Sequence, residues 1–459
     1  MRKVLQKELY PGLLLCLLLA VGCREHVDGR ETLTAEADQI ATTQIATTQS
    51  EDKPESDVAE PADPPAISSN ELRPTIRWQD APFHIGEKVF LVGQVANTGK
   101  SSSGHHFLNF GRRRNDVTGF IGRDVAEQFS APPEETFKGK NVRIRGELYR
   151  YRGKPNIRIE KSADVVVLPD DAAFSELTTK EPVVREIGDV VKICTLNVLN
   201  LFDSIDNPYH KDEDTNAKLR EDLDLLAKSI RHIDADVLVL QEVENRGYLN
   251  DFNRALLSDL GYQHVVLTEG NDKRGIDVAV LSRLPVGPVT SYRHLTFPDA
   301  NGEAMYFRRD FLQVRIEPEK GKPFDVFAVH LKSKYGGESG DAIRLGEARM
   351  VRKLLDRFLK KDLQRRFILC GDFNDTIESP SMKAIVGTGG GALKTFFDEV
   401  PPAERITYNL EPYQSMIDFI LASPAMAAEY VKGSYQIFPG SPSETGSDHN
   451  AVVARFRID

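Results

Sequence analysis

Phe367-Ile368-Leu369-Cys370-Gly371-Asp372-Phe373-Asn374 is an apolar run that breaks abruptly into a glycine, a carboxylate and an amide. Such a run reads as a buried strand. A buried strand that ends in a polar residue presents it at the rim of its sheet, where it reaches a ligand without the cost of a buried charge. The pattern recurs on both sides. Upstream lie Val191-Lys192-Ile193-Cys194-Thr195-Leu196-Asn197, Asp236-Val237-Leu238-Val239-Leu240-Gln241-Glu242 and Phe324-Asp325-Val326-Phe327-Ala328-Val329-His330. Downstream lie Ser415-Met416-Ile417-Asp418-Phe419-Ile420-Leu421 and Gly446-Ser447-Asp448-His449-Asn450-Ala451-Val452. Between the first two strands, Leu219, Leu223, Leu226, Ile230 and Ile233 recur at helical spacing. Residues 185–459 therefore read as an α/β domain whose strands deliver metal-compatible or acid/base side chains at one end.

Taken singly, each of these residues has an ordinary explanation: Asp-Phe-Asn is often a turn, and a lone His or strand-end Glu is more often structural than catalytic. Six in series are not explained that way. The order Asn197, Gln241-Glu242, His330, Gly371-Asp372-Phe373-Asn374, Asp418 and Ser447-Asp448-His449 resembles the full signature of the endonuclease/exonuclease/phosphatase superfamily. The resemblance implies a four-layer α/β sandwich, with two mixed sheets face to face, helices outside and the site at one edge. It implies Mg²⁺, with Mn²⁺ or Ca²⁺ as alternatives, held mainly by Glu242 with Asn197 and Asp448 completing or approaching the site. A hard ion of this kind prefers oxygen ligands and keeps several waters, so one or two carboxylates suffice. His449 is implied as the general base, oriented by Asp418, with Asp372 and Asn374 positioning or activating the nucleophile and the scissile phosphate. His330 is implied as a donor to a non-bridging oxygen.

Weaker expectations attach to Arg274 and Asp277, in a region that contacts substrate in many relatives, and to Lys332 and Ser333, close after His330. A lysine beyond a strand end is usually only a solvated charge. The glycines at 387 and 389–391 are not followed by Lys-Ser/Thr, so a phosphate-binding loop is not expected there. Cys194 and Cys370 sit inside apolar strands and read as free core thiols.

Substrate is less sharply marked. Inositol-phosphate phosphatases of the superfamily carry Arg after Gly-Asp-x-Asn, where this chain has Asp375, and a Trp-Cys-Asp-Arg-like element, where it has Met416-Ile417-Asp418-Phe419. Abasic-site repair enzymes typically have Gly-Tyr-Ser-Gly-Val-Ala in place of Gly275-Ile276-Asp277-Val278-Ala279. Bacterial extracellular nucleases are similar in combining an export signal, an OB-like domain and this catalytic domain. A nuclease acting on DNA or RNA is the favoured reading. A phospholipid or sphingomyelin phosphodiesterase is the alternative. A non-catalytic nucleic-acid-binding protein is disfavoured, since such a relic would have lost one of Glu242, Asp372, Asp418 or His449.

The upstream half supplies location. The apolar stretch from Leu13 to Gly22, preceded by Arg2, Lys3 and Lys7, reads as a signal peptide over residues 1–23. Ala20-Val21-Gly22-Cys23 resembles a lipobox, so the expected product is a cell-envelope lipoprotein tethered to the membrane through Cys23, or else a secreted or periplasmic protein. Residues 24–72, with 3 basic against 12 acidic side chains, read as a disordered linker and carry most of the chain's formal net charge of −10. Residues 73–170 contain five or six short strands, alternating most clearly over Asn141 to Leu148, with a turn at 149–155 and one short helix at Val125 to Phe129. They resemble an OB-fold barrel. Over residues 88–160, 14 Lys and Arg face 7 Asp and Glu, and Arg112-Arg113-Arg114 with Tyr149-Arg150-Tyr151-Arg152 could bind nucleic acid. Charged strand edges that block sheet association are the bland alternative. No protein partner is indicated, and a monomer is expected. The 40% hydrophobic and 28% charged composition excludes a polytopic membrane protein.

Overall fold

The computed structural model describes residues 73–111, 116–170, 183–205, 207–212 and 215–459. The expected signal, the acidic linker and the Arg112-Arg113-Arg114 run lie outside the described residues. Among the described residues no helix is long and apolar enough to cross a membrane.

The upstream region is β-rich. Strands β1 (Thr75–Arg77), β2 (Lys88–Gln94), β3 (Asn97–Lys100), β4 (His106–Asn109), β5 (Thr118–Ile121), β6 (Asn141–Tyr151), β7 (Lys154–Ile159) and β8 (Val165–Val167) form one mixed sheet. Its order is β1-β2-β6-β7-β5-β4-β3, with β8 also on β6. The path is open, so the ladders do not describe the expected closed barrel. The sheet bends instead at the corner between β2 and β3, where the amides of Val95 and Ala96 turn to different neighbours, Lys140 and Asn109. The expected seven-residue turn at 149–155 shrinks to Arg152-Gly153, both with positive φ (51° and 79°), as a two-residue hairpin requires. Tyr149 and Tyr151 thereby become members of β6. The helix expected at Val125–Phe129 is replaced by two single turns, Arg123–Ala126 and Pro133–Thr136.

The downstream region is mixed α/β with two sheets. Strands β9 (Val190–Leu201), β10 (Val237–Val243), β11 (His264–Leu267) and β12 (Asp277–Ser282) belong to the first, and β13 (Val286–Ser291) opens the second. After the isolated pair β14 (Phe297–Pro298) and β15 (Ala304–Met305), the second sheet continues with β16 (Leu312–Ile316), β17 (Phe324–His330), β18 (Phe367–Asp372) and β19 (Asp418–Ala422). Then β20 (Gln436–Phe438) and β21 (Ala451–Arg457) return to the first. The orders are β11-β12-β10-β9-β21-β20 and β13-β16-β17-β18-β19.

The two faces of β9 show how the layers pack. Val191 and Ile193 join a core shared with Val326, Ala328, Ile368 and Phe419 of the second sheet. Cys194, Leu196 and Val198 join another core with Leu223, Leu226 and Ile230 of the helix Arg220–Ile233 and with Phe252 of the helix Arg246–Leu256. Across the second sheet, the helix Gly337–Lys361 buries Val351, Leu354 and Leu355. Strands covered on both faces must be apolar throughout, which is why they read as runs and not as alternations. Leu219 departs from the helical stripe: it caps the helix with extended backbone and is 58% exposed. Cys194 and Cys370 are free and buried, their thiols pushed up by desolvation.

The β-rich region docks on the α/β region through the 3-10 segment Trp78–His84. Phe83 stacks on Tyr248 with centroids 5.4 Å apart, Asp80 pairs with Arg254, and Arg220 reaches Glu87 at 2.8 Å.

Gly371 is fixed by close approach. Its φ is 150°, and a Cβ there would lie 1.9 Å from the backbone oxygen of Val329 on β17. Gly371→Ala must therefore push β17 and β18 apart. We expect a stability loss of roughly 3 kcal/mol or more in urea denaturation, at the upper end for single substitutions.

Candidate active site

Sheet register brings three of the expected residues side by side: His330 faces Asp372 across β17 and β18, and Asp372 faces Asp418 across β18 and β19. The end of the first sheet meets this row from the other side. Asn197 Nδ2 donates to Asp372 Oδ2 at 3.2 Å, and Ser447 Oγ donates to the Asn197 carbonyl at 2.6 Å. The same Ser447 hydroxyl accepts the His449 amide at 3.1 Å, which fixes the turn before β21. His449 Nδ1 lies 2.8 Å from Asp418 Oδ2, while its Nε2 is 3.9 Å from Asp372 Oδ2. That oxygen is also 3.4 Å from His330 Nε2. Asn374 donates its amide to Asp372 Oδ1 at 2.8 Å and its side chain to the Leu331 carbonyl at 3.0 Å. Asp372 is thus the hub, and Asn197, His330, Asp372, Asp418 and His449 are all buried.

Glu242 and Asn197 are not strand ends, contrary to expectation. Asn197 is inside β9, which runs on to Leu201, and, opposite β12, Glu242 is the extra residue of a bulge in β10, since Gln241 pairs with Val278 and Val243 with Asp277. Opposite β9 the excess is on the other strand: Gln241 pairs with Asn197 and Val243 with Leu201, so Val198, Leu199 and Asn200 stand against Glu242 alone and the β9 chain must loop out. Leu199, Asn200, Glu242 and Asn374 all have φ between 51° and 64°, four of the six non-glycine residues with positive φ among those described. Left-handed backbone at a non-glycine residue costs free energy and persists only where its surroundings enforce it. Here it turns Glu242 off the ladder, where its Oε2 accepts the Asn200 amide at 3.1 Å.

Two places could accept a cation. Ligand atoms of Asp372, Asp418 and His449 all lie within 4.8 Å of one another. The other is the Glu242 side, where Asp448 feels the Glu242 charge and the buried Oδ1 of Asn200 has no hydrogen-bond partner. Asn197 Oδ1 already accepts the Leu199 amide at 3.1 Å, so it could only share a lone pair. An all-oxygen set with an orphaned buried oxygen suits a hard divalent ion better than a set that includes imidazole.

The charges are coupled. Burial opposes a charged His449, but the charge and hydrogen bond of Asp418, then Asp372 and Asp448, hold its pKa up at about 10. Burial and the neighbouring Asp418 push Asp372 up to about 7, against His449 and the donors Asn374 and Asn197. His330 is held well below the usual imidazole value by burial and by the cations Arg309, His449 and Arg274, so it is neutral. Burial raises Asp448, His449 opposes this, and Glu242 adds to it.

Two residues of the site escaped the sequence reading. Lys218, buried, donates Nζ to the Leu199 carbonyl at 2.9 Å and feels the charges of Asp448 and Glu242. Tyr408 sets its ring 5.3 Å from that of His449. Both lie in loops without periodicity, where no spacing signal exists. The weaker candidates divide. Arg274, 3.8 Å from Asp272, is close enough to act on His330. Asp277 is instead a buried pin: its Oδ1 accepts the Gly270 amide at 2.6 Å, and desolvation pushes its carboxyl up to about 7. Lys332 turns back onto its own loop, donating to the Ser333 carbonyl at 3.0 Å and to the Ser333 hydroxyl at 3.2 Å. The turn Gly389–Gly391 is packed beside Arg352, which donates to the Gly391 carbonyl at 2.9 Å.

No curated protein matches the sequence. Among solved structures, the chain is similar to the human Nocturnin catalytic domain with bound sulfate at 18% identity and a TM-score of 0.43, over 60% of this chain and 97% of that one. Truncated Caenorhabditis elegans TDP2 is similar at 15% identity and a TM-score of 0.42, over 58% and 98%. ANGEL2, a 2′,3′-cyclic phosphatase in complex with adenosine-2′,3′-vanadate, is similar at 17% identity and a TM-score of 0.42, over 59% and 96%. Likenesses at this level carry no argument about function. The model of the Endonuclease/Exonuclease/phosphatase family matches residues 192–439, more than half of the chain and the greater part of the site, and the protein belongs to that family.

Proposed function

We propose that this is an exported, metal-dependent nuclease that hydrolyses DNA or RNA phosphodiester bonds by attack of water. The observation that carries the reading is the buried hub in which Asp372 gathers Asn197, His330 and His449, with Asp418 behind the last. In this assignment the neutral form of His449, which gains in population as pH rises toward about 10, takes the proton of the attacking water through Nε2, while Asp418 holds Nδ1 and stabilises the imidazolium that forms. Asp372 and Asn374 orient water and phosphate. His330, kept neutral, donates to a non-bridging oxygen as negative charge develops there, at no cost of reorganisation. A Mg²⁺ ion on Glu242, with Asp448, Asn197 and Asn200 Oδ1 at hand, would supply Lewis-acid stabilisation of the phosphoryl oxygens.

Nucleic acid is favoured over inositol phosphates because Asp375 is built into the frame: buried, it accepts Arg344 Nε at 3.1 Å and is not a phosphate-binding position. The β-rich region is proposed to be an OB-like module, a reading supported by its parallel β5–β7 pair and its bent β2–β3 corner. Export, with lipidation at Cys23 or release to the periplasm or medium, is supported by the basic and apolar N-terminal segment.

The test is a substrate panel for the full chain: plasmid DNA, single-stranded DNA, RNA, sphingomyelin and bis(4-nitrophenyl) phosphate, each with Mg²⁺ and with excess chelator. We expect chelator-sensitive cleavage of a nucleic acid. Turnover of sphingomyelin without nucleic-acid cleavage would transfer the assignment to a lipid phosphodiesterase.

A further inference from the structure

The outer face of the β-rich sheet carries side chains whose alignment the catalytic reading does not use. Register sets Phe107 of β4 opposite Phe120 of β5, and Phe120 opposite Arg158 of β7. The two phenylalanine rings are 5.9 Å apart, and the ring of His105 is 5.3 Å from that of Phe120. The Arg158 guanidinium lies 5.2 Å from the ring centroid of Tyr149 on β6. Ring, ring, guanidinium and ring therefore run across four neighbouring strands. Phe107, Phe120 and Tyr149 are half-buried and Arg158 is exposed, and the three aromatic residues stand outside the apolar core of this sheet.

Beside this row runs a polar one. Asn109, Thr118 and Asn156 are successive register partners, and Thr118 Oγ1 donates to Asn109 Oδ1 at 3.0 Å. The hairpin from Asn141 to Lys161 is strongly basic, with seven Lys and Arg against two Glu. Charge alone would suit a strand face kept from aggregating, but that role does not call for phenylalanine rings placed partner to partner in water.

We propose that this face is a stacking platform for single-stranded nucleic acid, with bases on Phe107, Phe120 and Tyr149 and backbone phosphates on Arg158 and the β6–β7 hairpin. Every base offers a π-face, so such a platform is tolerant of sequence, and the arginines supply the salt-dependent share of the affinity. Behind the platform lies a groove of about 1420 Å³: Phe110, Val117, Pro155 and Arg150, each one residue along from the polar row or Tyr149 and so on the opposite face of the sheet, line it together with Lys218 and Arg246. The groove contains acids as well, among them Asp251 and Glu269, so the affinity resides on the platform and not in the groove. The inference rests on the nuclease reading only for the choice of polymer.

The experiment uses the full chain in chelator, so that nothing is cleaved, and follows the anisotropy of a labelled oligothymidylate across a salt series. Phe120→Leu and Tyr149→Leu should each weaken binding about tenfold without changing the salt slope. Arg158→Gln should weaken it and reduce the slope by about one. Phe120→Trp keeps an aromatic surface: it should bind at least as tightly as the parent and show quenching on binding beyond that of the chain's single native tryptophan. With Mg²⁺, all four variants should turn over bis(4-nitrophenyl) phosphate at the parent rate. Oligonucleotide binding unchanged in Phe120→Leu and Tyr149→Leu overturns the platform while leaving the nuclease assignment intact. Binding through these residues by a chain that cleaves no nucleic acid supports the platform and removes that assignment. Equal losses for heparin, a polyanion without bases, overturn stacking.

Discussion

Glu242→Gln should lower divalent-dependent turnover by at least roughly 10³-fold, because it removes the one carboxylate that the β10 bulge turns away from its ladder with β12. The exchange is nearly isosteric, and a Gln carbonyl can still accept the Asn200 amide that now bonds Oε2. The fold should survive. Stability in chelator should equal or exceed that of the parent, since Glu242 and Asp448 repel one another and their proximity already raises the Asp448 pKa. The checks are initial rates across a Mg²⁺ series, calorimetric binding of the ion, and thermal unfolding in chelator. Turnover close to that of the parent, or parent turnover that survives excess chelator, would show that no ion at Glu242 takes part.

What was legible in the sequence follows from what holds the sheets together. Strands β9, β10, β17, β18 and β19 are covered on both faces, so apolar composition alone marks them, and the polar residues beside those runs stand out. His330, Asp372 and Asp418 were legible as residues but not as neighbours, since their adjacency comes from the order β17-β18-β19, in which β18 and β19 are separated by a long excursion. The bulge at Glu242 and the left-handed turn at Leu199 and Asn200 leave no periodic trace, because strain is imposed by the surroundings and not by local preference. Lys218 and Tyr408 were missed for a related reason: a loop residue is placed by what it docks against. Asp277 misled in the opposite direction. Its acidic side chain at the start of β12 looked available to substrate, but the Gly270 amide claims it and it is only 3% exposed.

His449→Ala should lower kcat by roughly 10²-fold or more while changing substrate affinity little, the pattern for a group that acts in the transition state and not in binding. Asp418→Asn should damage the enzyme less and in a diagnostic way. Asp418 is the strongest of the partners that hold the His449 pKa up at about 10, through its charge and the 2.8 Å contact to Nδ1. A base must be neutral to accept a proton, so in the parent this limb of the pH–rate profile rises with pH as the imidazolium is lost. Asp418→Asn lowers the pKa and should move that limb to lower pH, although kcat at the plateau falls because the imidazolium formed in the reaction is less stabilised. Stability has the opposite dependence. A histidine whose folded pKa lies above its ordinary 6.5 contributes stability that is full below about pH 6.5 and is lost as pH rises through about 10. Urea midpoints of the parent should decline across that window, and those of Asp418→Asn should be flatter. If the limb in Asp418→Asn stays where it is in the parent while kcat falls, Asp418 acts on orientation alone. If His449→Ala retains near-parent kcat, the proton goes elsewhere, and Asp372, whose pKa is pushed up to about 7 by burial and by Asp418, is the group in the hub next placed to receive it.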